Sequence, residues 1–565
     1  MRDRLPGLRR ADPSTPLDER YSVVFQTRQA YIKRFAACHG AAGSSCICTS
    51  LPDVKQRVLV ASNRGPVSYA FGADGTLIIQ RGGGGLITGM TPGVAAVAEQ
   101  AEVTWICAAV TDADRVAAHQ WGAGAEDPAA RPAALDSEIT DDVPVRMLDI
   151  PRDTFHRAYN NVANSTLWFV HHILFDTPNQ PVFGQQFWRD WESYLDYNQA
   201  FADALAEEAL AAGAGSEQAP PAGVRALIQD YHLSLAPRLL RERLGDSARE
   251  IGVAHFSHTS WAPPDYYRLL PREVGQAVLD GMLGADHLGF HADRWAAAFL
   301  DCCEAILGAE VSRSGCADAG TVGQVLHRGH VTELGVHPLG VDAAALRARA
   351  AADDVQAHIA AINQVAGGRQ LIVRVDRTEL SKNIVRGLAA YRELLATRPE
   401  WHGRVLHLAF AYPSRSAIPE YRAYTEQVQQ MAREIIEEFG TPDWNPLILQ
   451  VRDDYPQSLA ACVMADVLLV NPIKDGMNLV AQEGPVLSQR GCALVLSREA
   501  GAAATLGEHA LLVNPYDISE TAAALHQGLA MPEAERQRRS AALAAIAAAS
   551  PPARWLGGQL ASLDR

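Results

Sequence analysis

The chain has no excess of positive charge: 50 Lys and Arg stand against 65 Asp and Glu, a formal net charge of -15 over 565 residues. General nucleic-acid and membrane-surface binders collect phosphates on a basic face, so both partner classes are excluded and any phosphate site must be local. Also missing is an apolar run long enough to span a bilayer. The opening MRDRLPGLRRADPS lacks the apolar middle of a signal peptide, which points to a cytoplasmic protein. The nine cysteines (Cys38, Cys46, Cys48, Cys107, Cys302, Cys303, Cys316, Cys462 and Cys492) show no repeated spacing and read as reduced thiols. Cys38, His39, Cys46 and Cys48 have no second ligand pair at a usable distance, so no metal site is expected.

What is present is a globular balance, 48% hydrophobic and 20% charged. The length calls for two domains of comparable size. Residues 1–55 mix Pro, Gly, Ser and charge without periodicity and read as a mobile extension. From Val58 onward, short apolar runs (VLVAS, VTWICAAV, VRMLDI, RALIQD, IGVAHFSH, HLGFH) alternate with helical stretches. That alternation predicts an α/β fold with parallel sheets covered on both faces. It restarts after VHPLGVDAAAL with LIVRVDR, RVLHLAFAY, PLILQV, DVLLVNP, ALVLS and ALLVNPYD. The expected division is therefore 56–340 for one Rossmann-like domain and 341–548 for a second. Residues 549–565 form a terminal helix whose Trp555, Leu556, Leu560 and Leu563 pack back across the domains. In two facing sheets of this kind the ligand lies in the cleft beyond the carboxyl ends of the strands.

Several stretches would meet in that cleft. RGGGGLITG (81–89) follows the first strand and leads into a helix; its glycines suit close approach of backbone to a phosphate or sugar oxygen, or equally a hairpin between strands. Arg64 lies just past the first strand, facing an anion or solvent. Tyr159 and Trp168, in YNNVANSTLWFVHH, line a sugar pocket or pack as core aromatics. Asp230 in QDYHLSLAP and His258 in AHFSHTSWAPP come at strand ends, where titratable groups tend to face ligands. Arg377 and Lys382, five residues apart in VDRTELSKN after the first strand of the second half, match the charge that grows on a departing pyrophosphate, or form a surface ion-pair group around Glu379. In NPIKDGMNLVAQE, the turn Asp475, Gly476, Met477, Asn478, Leu479 opens a helix, and Glu483 two turns along could take both hydroxyls of a ribose.

Together DGMNLVAQE, QDYHL, YNNVANSTLW and RTELSK, in this order, resemble the trehalose-6-phosphate synthase family, retaining glycosyltransferases of the GT-B fold, from about Val58 to the last helix. The resemblance implies a retaining glucosyltransferase that makes trehalose 6-phosphate, with a nucleotide-glucose co-substrate held mainly by the second domain, glucose 6-phosphate held mainly by the first, and no metal or other cofactor. It implies Gly85 at the donor phosphates, Asp230 and His258 at the donor sugar, and Arg377 with Lys382 at the diphosphate. Asp475 to Leu479 would contact glucose and phosphate, and Glu483 the ribose. Arg64, Tyr159, Trp168 and Arg415 (in AYPSRSAIPEY) fall on acceptor-binding positions. The donor would be UDP-, GDP- or ADP-glucose, with the base unspecified, and a homo-oligomer is compatible with the pattern.

Three departures stand out. Ala108 replaces a second tryptophan that contacts the acceptor, Ser260 replaces a usual proline, and three extra residues precede Arg377. A related branch, the pseudo-glycosyltransferases that join cyclitols, also lacks that tryptophan. Two alternatives therefore remain open: the same scaffold with a cyclitol phosphate or glycerol 3-phosphate as acceptor, and a non-catalytic regulatory relative.

Overall fold

The computed structural model describes residues 56–82, 85–121, 143–211, 223–314 and 321–564. The extension 1–55, its Cys38–Cys48 cluster, Gly83 and Gly84 lie outside the described residues.

The first sheet contains nine strands: β1 (Arg57–Ser62), β4 (Glu102–Ala108), β5 (Val145–Leu148), β6 (Val224–Gln229), β7 (Ile251–Ser257), β8 (His287–Phe290), β9 (Glu310–Arg313), β10 (Thr321–His327) and β11 (His330–Val336). Their spatial order is β5-β4-β1-β6-β7-β8-β11-β10-β9. Val58, Leu59, Val60 and Ala61 are fully buried, as a central parallel strand must be when both faces are covered. One core, with Leu59, Phe155 and Phe201, covers one face; another, with Val58, Val60 and Phe256, covers the other. The antiparallel arm β9–β10–β11 was not visible in the alternation, because two hairpin-linked strands carry no intervening helix to mark them.

The second sheet is parallel throughout: β12 (Gln370–Arg377), β13 (Val405–Tyr412), β14 (Leu447–Gln450), β15 (Val467–Val470), β16 (Ala493–Ser497) and β17 (Leu511–Val513), in the order β14-β13-β12-β15-β16-β17. In both sheets the chain starts in the middle, works outward to one edge, and returns to build the other side. The reversal falls at β1/β6 and at β12/β15, so each sheet opens a crevice beyond those strand ends.

Two local readings change. The glycine run does not follow β1 directly: a hairpin, β2 (Val67–Phe71) and β3 (Leu77–Arg81), intervenes before helix α1 (Gly85–Ala98) begins. Nor do three extra residues separate the strand from Arg377. The strand extends to include it, because β12 and β13 stay in register through Arg377 opposite Tyr412.

The terminal helix Pro552–Ala561 lies against α1. Trp555 is 2% exposed and its ring meets Phe256 at 5.0 Å and His258 at 5.4 Å. Among the described residues no helix is long and apolar enough to cross a membrane. The cysteines Cys107, Cys302, Cys303, Cys462 and Cys492 are buried free thiols.

Candidate active site

The strand ends at the two reversal points carry the predicted residues toward one another. Asp230 follows β6 directly. It is a non-glycine residue at φ 74°, held there by its N–H donating to the Phe256 carbonyl at 2.7 Å. Such a conformation is costly for a side-chain-bearing residue and gathers at functional positions. Its Oδ1 accepts the His258 N–H at 3.2 Å. Burial pushes the Asp230 carboxyl up to about 7, against the pull of neighbouring backbone donors, Arg415 and Arg377. His258, one residue past β7, has its Nε2 3.0 Å from Gln229 Oε1. Burial, with His291 and His255 beside it, holds the ring well below its ordinary value and neutral.

Tyr159 and Trp168 stand nine residues apart. In an α-helix that is about two and a half turns, which puts them on opposite faces. Here the middle of the helical stretch, Arg157–Leu167, is a π-helix, flanked by α-helical turns Arg152–His156 and Trp168–His172. The extra residue per turn swings both rings to one side. Tyr159 stacks on His232 at 5.5 Å, and Trp168 meets Tyr231 at 5.6 Å. Arg415, from the second lobe and itself at φ 45°, lies 4.2 Å over the Trp168 ring and donates to the hydroxyls of Tyr421 (2.7 Å) and Tyr231 (3.1 Å). Arg64 is exposed at the mouth and close enough to Tyr159, with Arg415, to outweigh burial and lower that phenol.

On the second lobe, Arg377 pairs with Glu379 at 3.0 Å; the arginine side chain is 43% exposed, the glutamate 0%. Burial alone would raise Glu379, but Arg377, Arg415 and Lys382 together hold it down at about 2. Lys382 ends a short 3₁₀ turn and pairs with Asp475 at 2.5 Å. The same carboxylate accepts Asn478 Nδ2 at 3.1 Å, and Asn478, at φ 78°, turns its Oδ1 to the Ala481 N–H to start the helix Val480–Leu487. Glu483 sits in the first turn of that helix, where burial pushes it up to about 7.

Gly476 lies against the other lobe. A Cβ there would come within 1.8 Å of the His258 carbonyl oxygen, so only glycine fits. The Met477 side chain is 5% exposed and belongs to the second core, which leaves its backbone as the part able to face a ligand. Leu479 packs against the cores of both lobes. Gly85 opens α1, whose free N–H groups suit an anion.

In charge, Arg64, Arg377, Lys382 and Arg415 outnumber the ionised Glu379 and Asp475, even with Asp230 half ionised near pH 7. Arg374 and Asp376, paired at 2.9 Å, cancel. The cleft is therefore a local anion site in an acidic protein.

A sequence profile described as glycosyltransferase family 20 matches residues 56–565. The chain belongs to glycosyltransferase family 20. Its relatives in this family include the UDP-forming alpha,alpha-trehalose-phosphate synthase of Schizosaccharomyces pombe, 29% identical over 85% of each chain. The bifunctional trehalose-6-phosphate synthase/phosphatase of Thermoproteus tenax is 33% identical over 68% of this chain and 49% of its own length. Among solved structures, the synthase from Burkholderia vietnamiensis aligns with a TM-score of 0.71 at 27% identity, covering 90% of this chain and 98% of its own. An E. coli structure described as trehalose-6-phosphate bound with UDP-2-fluoro glucose aligns with a TM-score of 0.71 at 26% identity, over 90% and 99%. The architecture of this family 20 chain is GT-B, two doubly wound lobes across a cleft.

Glu379, the centre of the alternative ion-pair group, joins Arg377 to Arg415. His232 was not singled out in the sequence; its buried ring nitrogens have no hydrogen-bond partner among the described residues, and Nδ1 lies 3.9 Å from Asp230 Oδ2. Lys474 was passed over too, although lysine scarcity marks it: the chain's lysines are Lys33, Lys55, Lys382 and Lys474, and the two within the described residues flank one turn. The departure at Ala108 lies at the end of β4, where the small side chain is 3% exposed among Leu59, Ile150 and Phe155. Ser260 is fully buried and donates to the His171 carbonyl at 2.7 Å, a bond proline could not make.

Proposed function

We propose that this chain transfers glucose from a nucleotide-glucose to glucose 6-phosphate with retention at the anomeric carbon, giving trehalose 6-phosphate and a nucleoside diphosphate. The observation that carries the reading is the line of cations Arg64, Arg415, Arg377 and Lys382 running across the cleft beside Asp230 and His258. It offers anion sites on both lobes, one for a sugar phosphate and one for a diphosphate. The S. pombe relative, named as UDP-forming, supports UDP as the leaving group.

In this reading Arg64 and Arg415 hold the acceptor phosphate while Tyr159 and Trp168 wall its sugar ring. Arg377 and Lys382 give up part of their pairing with Glu379 and Asp475 to the diphosphate as its charge grows, a stabilisation of a few kcal/mol per donor group. The C1–O bond to the diphosphate breaks as the acceptor hydroxyl oxygen bonds C1 from the same face. The hydroxyl proton passes to the departing phosphate oxygen. Asp230 and the neutral His258 hold the donor sugar by its hydroxyls, and no carboxylate nucleophile is required.

The test is incubation of purified protein with UDP-, GDP- or ADP-glucose and glucose 6-phosphate, with NMR of the product anomeric carbons. An α,α-linked product is expected; no sugar transfer from any donor would refute the reading. Ala108 favours one second reading, in which an acceptor wall without its indole admits a cyclitol phosphate or glycerol 3-phosphate. A panel of phosphorylated acceptors read by mass spectrometry separates the two.

A further inference from the structure

The first lobe reaches the donor turn of the second through one side chain that the reaction as described does not use. Trp295 stands in the first turn of the helix Asp293–Cys302, which follows β8, and is 2% exposed. Its indole Nε1 donates to the Gly476 carbonyl at 3.0 Å. Two cations share the ring: the Arg294 guanidinium 4.0 Å from its centroid, and the Lys474 ammonium, one residue before Asp475 in the other lobe, at 4.7 Å. Their mutual repulsion is offset by Glu499, which pairs with Arg294 at 3.2 Å; its backbone carbonyl accepts the Asp475 N–H at 3.2 Å.

These contacts converge on one peptide. The Gly476 backbone is wedged between the His258 carbonyl on one side and Gly501 on the other, each so close that a Cβ on Gly476 or Gly501 would meet a carbonyl oxygen at 1.8 Å. Within its own lobe the turn is held by the Gly501 N–H donating to the Asp475 carbonyl at 3.1 Å and the Ala502 N–H to the Met477 carbonyl at 2.9 Å; the indole N–H ties it to the first lobe. The residue so fixed adjoins Asp475, whose carboxylate is the partner of Lys382.

We infer that Trp295 is a positioning residue for glycosyl transfer: by donating to the Gly476 carbonyl across the cleft it sets the height of the Asp475–Leu479 turn, and through Asp475 the place of the Lys382 ammonium. The inference rests on the transfer reading above, since it assigns Trp295 to the diphosphate end of that reaction. Trp295 acts through the turn and does not touch the sugar.

Trp295→Phe removes the N–H together with the pyrrole half of the indole, and leaves a six-membered aromatic face for the two cations. The expected result is a kcat lower by about 100-fold, the scale of a small misplacement of reacting groups. KM for glucose 6-phosphate should stay within about twofold of the parent, because uniform acceptor binding is untouched. Affinity for whichever of UDP, GDP and ADP the parent binds, measured by calorimetry, should fall about fivefold to tenfold, the loss expected of one neutral hydrogen bond. A general loss of folding would instead move both KM values and the melting temperature together, and that pattern overturns the inference. So does a folded variant whose kcat and nucleotide affinity stay within about twofold of the parent. Should Trp295→Phe not yield folded protein, Trp295→Met, which fills the space with a flexible apolar chain and carries no donor, must show the same split. If the parent itself transfers no sugar, the functional reading fails on its own, and nucleotide affinity in the two variants still decides the role of Trp295.

Discussion

Asp230 carries the clearest pH signature of any residue in the cleft. Its carboxyl is raised from 3.8 to about 7 by burial, so the folded state binds a proton more tightly than the unfolded one. Ionising it costs the fold nothing below about pH 4 and progressively more as the pH climbs to 7, to a total of a few kcal/mol. Glu483, raised to about 7 by the same cause, has the same sign. Glu379 has the opposite one: held at about 2, it stabilises the fold above its ordinary value of 4.5 and loses that contribution as the pH falls toward 2. Asp230→Asn keeps an oxygen for the His258 N–H, so the variant should melt above the parent at pH 8 and converge with it near pH 4. Thermal unfolding across that range checks this, and a pH-independent difference would contradict the burial argument.

Arg377 makes the complementary prediction. Its side chain is 43% exposed but its partner Glu379 is fully buried, and in the proposed reaction it faces the growing charge of the diphosphate. Arg377→Ala should therefore lower kcat by about 100-fold, and should lower the melting temperature at pH 7 more than at a pH low enough to protonate Glu379. Steady-state kinetics over both substrates, with KM for the acceptor as the internal reference, measures it; near-parental turnover would remove Arg377 from the reaction.

Among the elements, the terminal helix has the most to hold. Trp555 and Leu556 are buried in the same core as Val58, Val60 and Phe256, and the indole lies 5.4 Å from the His258 ring. Trp555→Ala should cost about 3–5 kcal/mol in urea unfolding, the range for a truncated core aromatic. Because the lost ring also supports His258, KM for the nucleotide-sugar should rise while KM for the acceptor changes less. At this scale the sequence was informative wherever a strand was flanked by helices, since burial on both faces leaves an unbroken apolar run such as VLVA or DVLLV. It was silent about β9–β10–β11 and the hairpin β2–β3, whose strands pair with sequence neighbours, and about the π-helix at 157–167. No residue type dictates a π-helix: its ladder is chosen by the packing that brings Tyr159 and Trp168 to one side.

For the molecule as a whole, the lobes meet through polar contacts (Trp295 to Gly476, Arg294 to Glu499, Arg415 to Tyr231) and through a few apolar side chains, Leu479, Ile418 and Tyr421, that reach from the second lobe into the cores of the first. Contacts of that character between domains are compatible with hinge motion. A ligand that bridges the cations of both lobes should bias the pair toward closure and exclude water from the donor. Small-angle scattering should show a smaller radius of gyration with nucleoside diphosphate and glucose 6-phosphate together than with either alone; an unchanged profile at saturation argues against closure.

The chain's order of motifs determined the family and the two sheets, and set titratable residues at strand ends, because period and strand-end position are local properties written residue by residue. Asp230, His258, Arg377 and Lys382 could be named that way. What only the tertiary structure decided was their state: that Arg377 is balanced by Glu379 and Lys382 by Asp475, that Asp230 is pushed toward 7, and that Gly476 is pinned by Trp295. Charge pairing and desolvation depend on distances between residues far apart in the chain, such as the 93 positions separating Lys382 from Asp475, and only folding sets those distances.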